Sequence, residues 1–131
     1  MDNKQLTKIF ESGKTEDPFD EILHIVSKLK NDVNNELIKL VHEQITRVFL
    51  GNDPDFKASN TEYHNLRHTC SVVLATARLL HGLSIRDQPF SALAIEQCII
   101  SAYFHDTGLL LRSRDATEHG ATYTKNHEER S

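Results

Sequence analysis

The chain has 131 residues, 38% of them apolar, and sets 15 Lys and Arg against 19 Asp and Glu, a balance of −4 with the histidines neutral. That length suits one domain with a modest core, and the acidic balance leaves no broad basic face to follow a phosphate backbone, which excludes a nucleic-acid duplex as the main partner. No window approaches the ~18 to 20 apolar residues that span a bilayer, and the start "MDNKQLTKIFESGK" lacks the apolar stretch of a signal peptide, so the expectation is a cytoplasmic protein with no membrane partner.

In chain order, residues 1–16 are polar apart from Leu6, Ile9 and Phe10 and read as a flexible or short helical arm, ahead of a single helical domain over 17–131. Asp17 followed by Pro18 is a helix start, and Phe19, Ile22, Leu23, Val26 and Leu29 recur at helical spacing up to about Lys30. A second amphipathic helix places Val33, Leu37, Leu40, Val41, Ile45, Val48 and Phe49 on one face, with Gly51 as its stop. His24 and His42 fall among charged neighbours in these helices and read as surface or satisfied core. The run "GNDPDFKASNTEY" has no period of either kind and is a loop of about a dozen residues.

From His64 onward "HNLRHTCSVVLATARLLHGL" is helical and apolar nearly all round, with Leu66, Cys70, Val73, Leu74, Ala77 and Leu80 on one side and Val72, Ala75 and Leu79 near it, which predicts a buried central helix. After "RDQP" comes "FSALAIEQCIISAYFHD", apolar at Leu93, Ile95, Ile99, Ile100, Tyr103 and Phe104, with Glu96 and Gln97 on the wet side. Gly108 is its terminator, "LLLRSR" a connection, and "ATEHGATYTKNHEERS" a loop giving way to a helix. Cys70 and Cys98 lack C-x-x-C spacing, sit in apolar segments and read as buried reduced thiols. No stretch alternates as a half-buried strand does and no repeat is present, which predicts an all-α bundle of about five helices. The last residues, "HEERS", carry no stop signal, and the expectation is that the C-terminal part of the bundle is missing.

The chemistry is concentrated in eight histidines, at 24, 42, 64, 68, 81, 105, 119 and 127. Neutral imidazole is the commonest metal ligand and also titrates near physiological pH, so the excess points to metal or acid/base work. His64 and His68, at i and i+4, would share one helix face with Cβ atoms roughly 6 Å apart. His105 and Asp106 directly follow the apolar run "CIISAYF". A carboxylate taken from water there costs several kcal/mol unless it is paired or bound to a metal, and an Asp suits an ion that must also bind phosphate oxygens.

"YHNLRHT" at 63–69 followed by "AYFHDTG" at 102–108 resembles the HD-domain superfamily of metal-dependent phosphohydrolases. The first motif is also similar to the Tyr-His-Asn-x-x-His-Ala signature of the cyclic nucleotide phosphodiesterases. Small predicted HD hydrolases share a Tyr-His-Asn-x-x-His-Thr stretch, a Phe-His-Asp motif and an Asn-x-Glu-x-x-Ser helix, matched approximately here by "NHEERS" at 126–131. The resemblance implies an HD-like bundle in which His68, His105 and Asp106 bind a divalent cation (Mn, Mg, Fe, Zn or Ni; one ion, or two bridged by Asp106). It further implies that His64, followed by Asn65, protonates the leaving oxygen, and that Glu128 lies near the site. The implied reaction is hydrolysis of a phosphate ester or diester of a nucleotide-like small molecule.

The family closes its metal site with a later aspartate that this sequence does not supply. Asp115 stands too close to the second motif for that role, and His119 and His127 are the candidates to complete the site. Arg67 is expected at the surface, and Lys125 and Arg130 either help to neutralise phosphate or are solvated helix residues. Two other readings stay open: a di-iron oxygenase on similar ligands, and a non-catalytic binding or interaction module, a homodimer with the 17–50 helices as its interface.

Overall fold

A computed structural model describes residues 18–30, 32–60, 65–87, 89–112, 115 and 120–131. The arm expected over 1–16 and the Asp17 cap lie outside these residues. Pro18 opens the first helix, α1 (Pro18–Leu29), at the position where its missing N–H has no intrahelical partner to lose. Phe19, Ile22, Ile25 and Val26 form its buried face, and the acidic first turn and basic last turn suit the helix dipole.

Asn34 caps α2 (Asn35–Phe49) by accepting a hydrogen bond from the Leu37 N–H at 3.0 Å, a contribution of about 1 kcal/mol. The buried line of α2 is Ile38, Ile45 and Phe49, with Val33 just ahead of the helix. Leu40, expected on that face, is instead 56% exposed, while Ile38 is fully buried. Leu37, Ile38, Leu40 and Val41 cover too wide an arc for one stripe, and packing selects the half of it nearest Ile45. Gly51 ends the helix as expected, because its φ of 78° is one that side-chain-bearing residues rarely adopt.

Residues 51–60 form the predicted loop, tied at Phe56 to Arg112 by an isolated antiparallel bridge and by the Lys57 N–H donating to the Leu111 carbonyl at 2.8 Å. The longest helix, α3 (Leu66–Arg86), buries Thr69, Cys70, Val73, Leu74, Ala77 and Leu80 and leaves Ala75 and Leu79 exposed. It is therefore one-sided rather than wrapped all round. Ser91 caps α4 (Ala92–Phe104), which buries Ile95, Ile99, Ala102 and Tyr103. Cys98 is exposed, contrary to expectation, since the interior position goes to its neighbour Ile99 and adjacent helical residues diverge by about 100°. Both cysteines are reduced thiols outside any disulfide, and Cys70 is buried as predicted.

The helices pack α1 on α3, α3 on α4 and α2 on α4, and no strand occurs among the described residues. Ile22, Val26, Ile38, Val73, Ala77 and Ile99 meet in the centre with no exposure to water. Each such side chain contributes about 1.5–3 kcal/mol through burial, with Ala77 below that range. Tyr103 keeps its hydroxyl satisfied there through His42 Nδ1 at 2.8 Å, and the His42 ring stacks on Phe19 at 4.4 Å. His42 is thus a satisfied core residue and His24 is exposed, as the sequence indicated. No described helix is long and apolar enough to cross a membrane. The core anchors the last turn of α4 beside the first turn of α3, and a fifth helix, α5 (His127–Arg130), docks against the chain that follows α4.

Candidate metal centre

His68 stands in the first turn of α3, fixed by Asn65, whose Oδ1 accepts the His68 backbone N–H at 3.0 Å. Asn65 has extended backbone (φ −112°, ψ −177°), so α3 begins only at Leu66. The sharing of one face by His64 and His68 rests on His64, which lies outside the described residues. At the other end of the site α4 stops at Phe104, His105 caps it, and the Thr107 hydroxyl donates to the Phe104 carbonyl at 2.8 Å. A 3₁₀ turn, Thr107–Leu109, then leads the chain away, and Asp106 at the junction is only 2% exposed.

Three imidazoles face this buried carboxylate. His105 Nε2 lies 3.1 Å and His68 Nε2 3.3 Å from Asp106 Oδ2, and His127 Nε2 lies 3.4 Å from Asp106 Oδ1. The rings of His68 and His105 meet edge to face, 5.5 Å between centroids. The ligand atoms of His68, His105 and Asp106 all fall within 4.8 Å of one another, a group that could hold a metal ion.

The donor chemistry supports that fit. His105 Nδ1 is 2.6 Å from the Ala102 carbonyl and His127 Nδ1 is 2.8 Å from the Thr124 carbonyl. A carbonyl only accepts, so in each ring Nδ1 carries the hydrogen, and Nε2 of the neutral imidazole bears a lone pair. Those lone pairs point at carboxylate oxygens, which also only accept. Acceptor facing acceptor across about 3 Å is unfavourable unless a proton or a cation stands between. Orientation of a ligating imidazole by a backbone carbonyl on its other nitrogen is the usual arrangement around protein-bound metals.

The remaining candidates fall out differently. Asn65 serves as the α3 cap, Glu128, Lys125 and Arg67 are exposed, and His119 lies outside the described residues. Arg130, expected either to help neutralise phosphate or to be a solvated helix residue, is not solvated. Its side chain is 18% exposed and ion-paired to Asp115 at 3.0 Å. Asp115 is thus engaged by the Arg130 guanidinium and the Arg112 N–H. Spacing alone did not single out His127, and the motif at 126–131 gave no role to Ser131, whose hydroxyl donates to the His105 carbonyl at 3.0 Å and accepts the Gly108 N–H at 2.8 Å.

Asp115 is held below the usual carboxylate range, first because the Arg112 backbone N–H donates to its Oδ2 at 2.7 Å. Burial opposes the effect and the Arg130 guanidinium adds to it. A carboxyl that binds its proton less readily in the folded state stabilises the fold above its unfolded value of about 3.9, and this contribution is lost as pH falls through the lower folded value. Urea denaturation of the parent and Asp115→Asn from about pH 7 to pH 2.5 is expected to give a stability gap that is level near neutrality and narrows only below about pH 4. A gap that widens on acidification refutes the assignment.

Comparison with protein-family models, with curated proteins and with solved structures gives no match, so the chain is characterised by its own geometry: an all-helical protein with a His68, His105 and Asp106 group that could hold a metal ion.

Proposed function

We propose that this chain is a metal-dependent phosphohydrolase of the HD type, with residues 17–131 as its helical domain and a phosphate ester or diester of a nucleotide-like small molecule as its substrate. The observation that carries the reading is the convergence of His68, His105 and His127 on the buried Asp106 carboxylate, with the far nitrogens of His105 and His127 already committed to backbone carbonyls. In this reading His68, His105 and Asp106 hold the ion, Mn, Mg, Fe, Zn or Ni. A divalent ion bound there supplies a water of lowered pKa and polarises the phosphoryl group. Asp106 contributes the negative charge that favours a cation in a site otherwise built of neutral imidazoles. The Ala102 carbonyl keeps the lone pair of His105 turned inward. His64, by its place in the motif, donates the proton to the leaving oxygen, a task suited to an imidazole near neutral pH.

The test is hydrolysis of p-nitrophenyl phosphate and bis-p-nitrophenyl phosphate by protein stripped of metal and then supplied with each of the five ions in turn. Metal-dependent turnover that His68→Ala loses is the expected result. Stoichiometric metal binding with no turnover on either ester overturns the hydrolase reading and favours the binding module.

A further inference from the structure

We infer that Arg130 is a positioning residue of the metal centre: its side chain clamps the turn that carries His127 onto the chain that carries Asp106, so that ion binding and docking of this turn are coupled. The inference rests on the metal-binding part of the reading above and not on the hydrolysis. Arg130 lies three residues beyond His127 and reaches back over the segment that follows the His105-Asp106 pair. Its Nε donates to the Gly108 carbonyl at 2.6 Å and its Nη2 to the Leu110 carbonyl at 3.1 Å and to Asp115 Oδ2 at 3.0 Å. The guanidinium carbon sits 3.5 Å from the centre of the Tyr123 ring, within the range of a cation–π contact. One planar cation thus joins the 108–110 turn, Asp115, the 3₁₀ turn Gly120–Tyr123 and α5.

The forked guanidinium is what this arrangement requires. A lysine brings the same charge but has one ammonium to offer, and it cannot lay a flat face on Tyr123 while reaching two carbonyls. Beside Arg130, the Ser131 hydroxyl spans the His105 and His127 carbonyls and the Gly108 N–H, and so ties the same segments next to the metal group. Gly108 makes the close approach possible, since an ideal Cβ there would lie 2.6 Å from the His127 carbonyl carbon and 2.7 Å from Arg130 Cβ. The four-residue helix α5 has too little length to hold its own conformation, because isolated helices below about 12–15 residues are marginal in water. The orientation of His127 toward Asp106 Oδ1 accordingly depends on these contacts. The side-chain contacts of Arg130 go to the Gly108 and Leu110 carbonyls, Asp115 and Tyr123, and it acts on the metal group through His127.

The experiment measures Co²⁺ affinity and the visible absorption of bound Co²⁺ in the full chain, for the parent, His68→Ala, His127→Ala, Arg130→Lys, Arg130→Met and the Arg130→Met/His127→Ala double variant, with thermal unfolding of each metal-free protein alongside. Arg130→Met is expected to weaken Co²⁺ binding by about 10- to 100-fold, the range for partners that orient a ligand, and to give the spectrum of His127→Ala. Arg130→Lys is expected to fall between Arg130→Met and the parent. The double variant is expected to bind no more weakly than His127→Ala, since the two changes remove one interaction. A merely structural role would lower the unfolding temperature and leave affinity and spectrum as in the parent, and that result overturns the inference. A parent protein that binds no Co²⁺ overturns the metal reading itself. Binding lost in His68→Ala but unaltered in both Arg130 variants sinks the coupling alone.

Discussion

Asp106→Ala is expected to abolish metal-induced stabilisation while leaving the metal-free protein folded. Asp106 presents one oxygen to His68 and His105 and the other to His127, so every imidazole of the cluster loses its common partner at once. A ligand that binds only the folded state stabilises it by about 2.7 kcal/mol when supplied at a hundred times its dissociation constant. For a chain of this size that corresponds to a rise of roughly 8–13 °C in the unfolding temperature. The parent should show this rise with its preferred ion, and Asp106→Ala none. Without metal the two should differ by no more than about 1–2 kcal/mol in either direction, because removing a buried carboxylate also removes the cost of keeping it from water. Thermal unfolding with and without added ion, together with metal content after dialysis, reads both quantities. A variant that retains the full metal-dependent rise would show that Asp106 is not a ligand.

How far this centre was legible in the sequence depends on how local each part is. The His105-Asp106 pair was legible because a charged residue directly after an apolar helix is a physical oddity wherever it occurs, and the structure buries that carboxylate at 2% exposure. The start of α3 was harder. Asn65 is a strong capping residue, and taking it as the cap would have started the helix at Leu66 rather than at His64 in the reading of the sequence. On α4, nearly every position is apolar, so no stripe told Ile99 from Cys98, and only packing against α2 and α3 made the distinction. The Arg130 clamp lay beyond the reach of periodicity altogether. Its carbonyl partners are Gly108 and Leu110, 22 and 20 residues away, and the helix that holds it has a single turn. Such contacts follow from where the 3₁₀ turn after α4 sends the chain, which no window of a dozen residues contains.

Gly108→Ala is expected to be the most damaging one-atom addition in this part of the protein. Glycine there was predicted as a helix terminator, yet α4 has already ended at Phe104 and Gly108 has no positive φ. Its role is closeness: α5 lies so near that a methyl group would collide with the His127 carbonyl and with Arg130 Cβ. The colliding atoms are backbone and a stem carbon, so no side-chain rotation relieves the contact, and the turn must lift away. Lifting it weakens the bond from the Gly108 N–H to Ser131 and that from Arg130 to the Gly108 carbonyl, and it draws His127 from Asp106. The overpacking costs about 1–3 kcal/mol of stability, and metal affinity is expected to fall about 10- to 100-fold as His127 loses its place. Gly82 supplies the control, since it lies within α3 with nothing near the position of an added Cβ. Alanine there is expected to stabilise the helix by about 0.5–1 kcal/mol and leave the metal centre untouched. Urea denaturation and metal titration of the two variants separate the cases: opposite signs in stability, with affinity lost only at Gly108, follow from the close approach, whereas two variants that behave alike would mean that α5 does not dock on this turn.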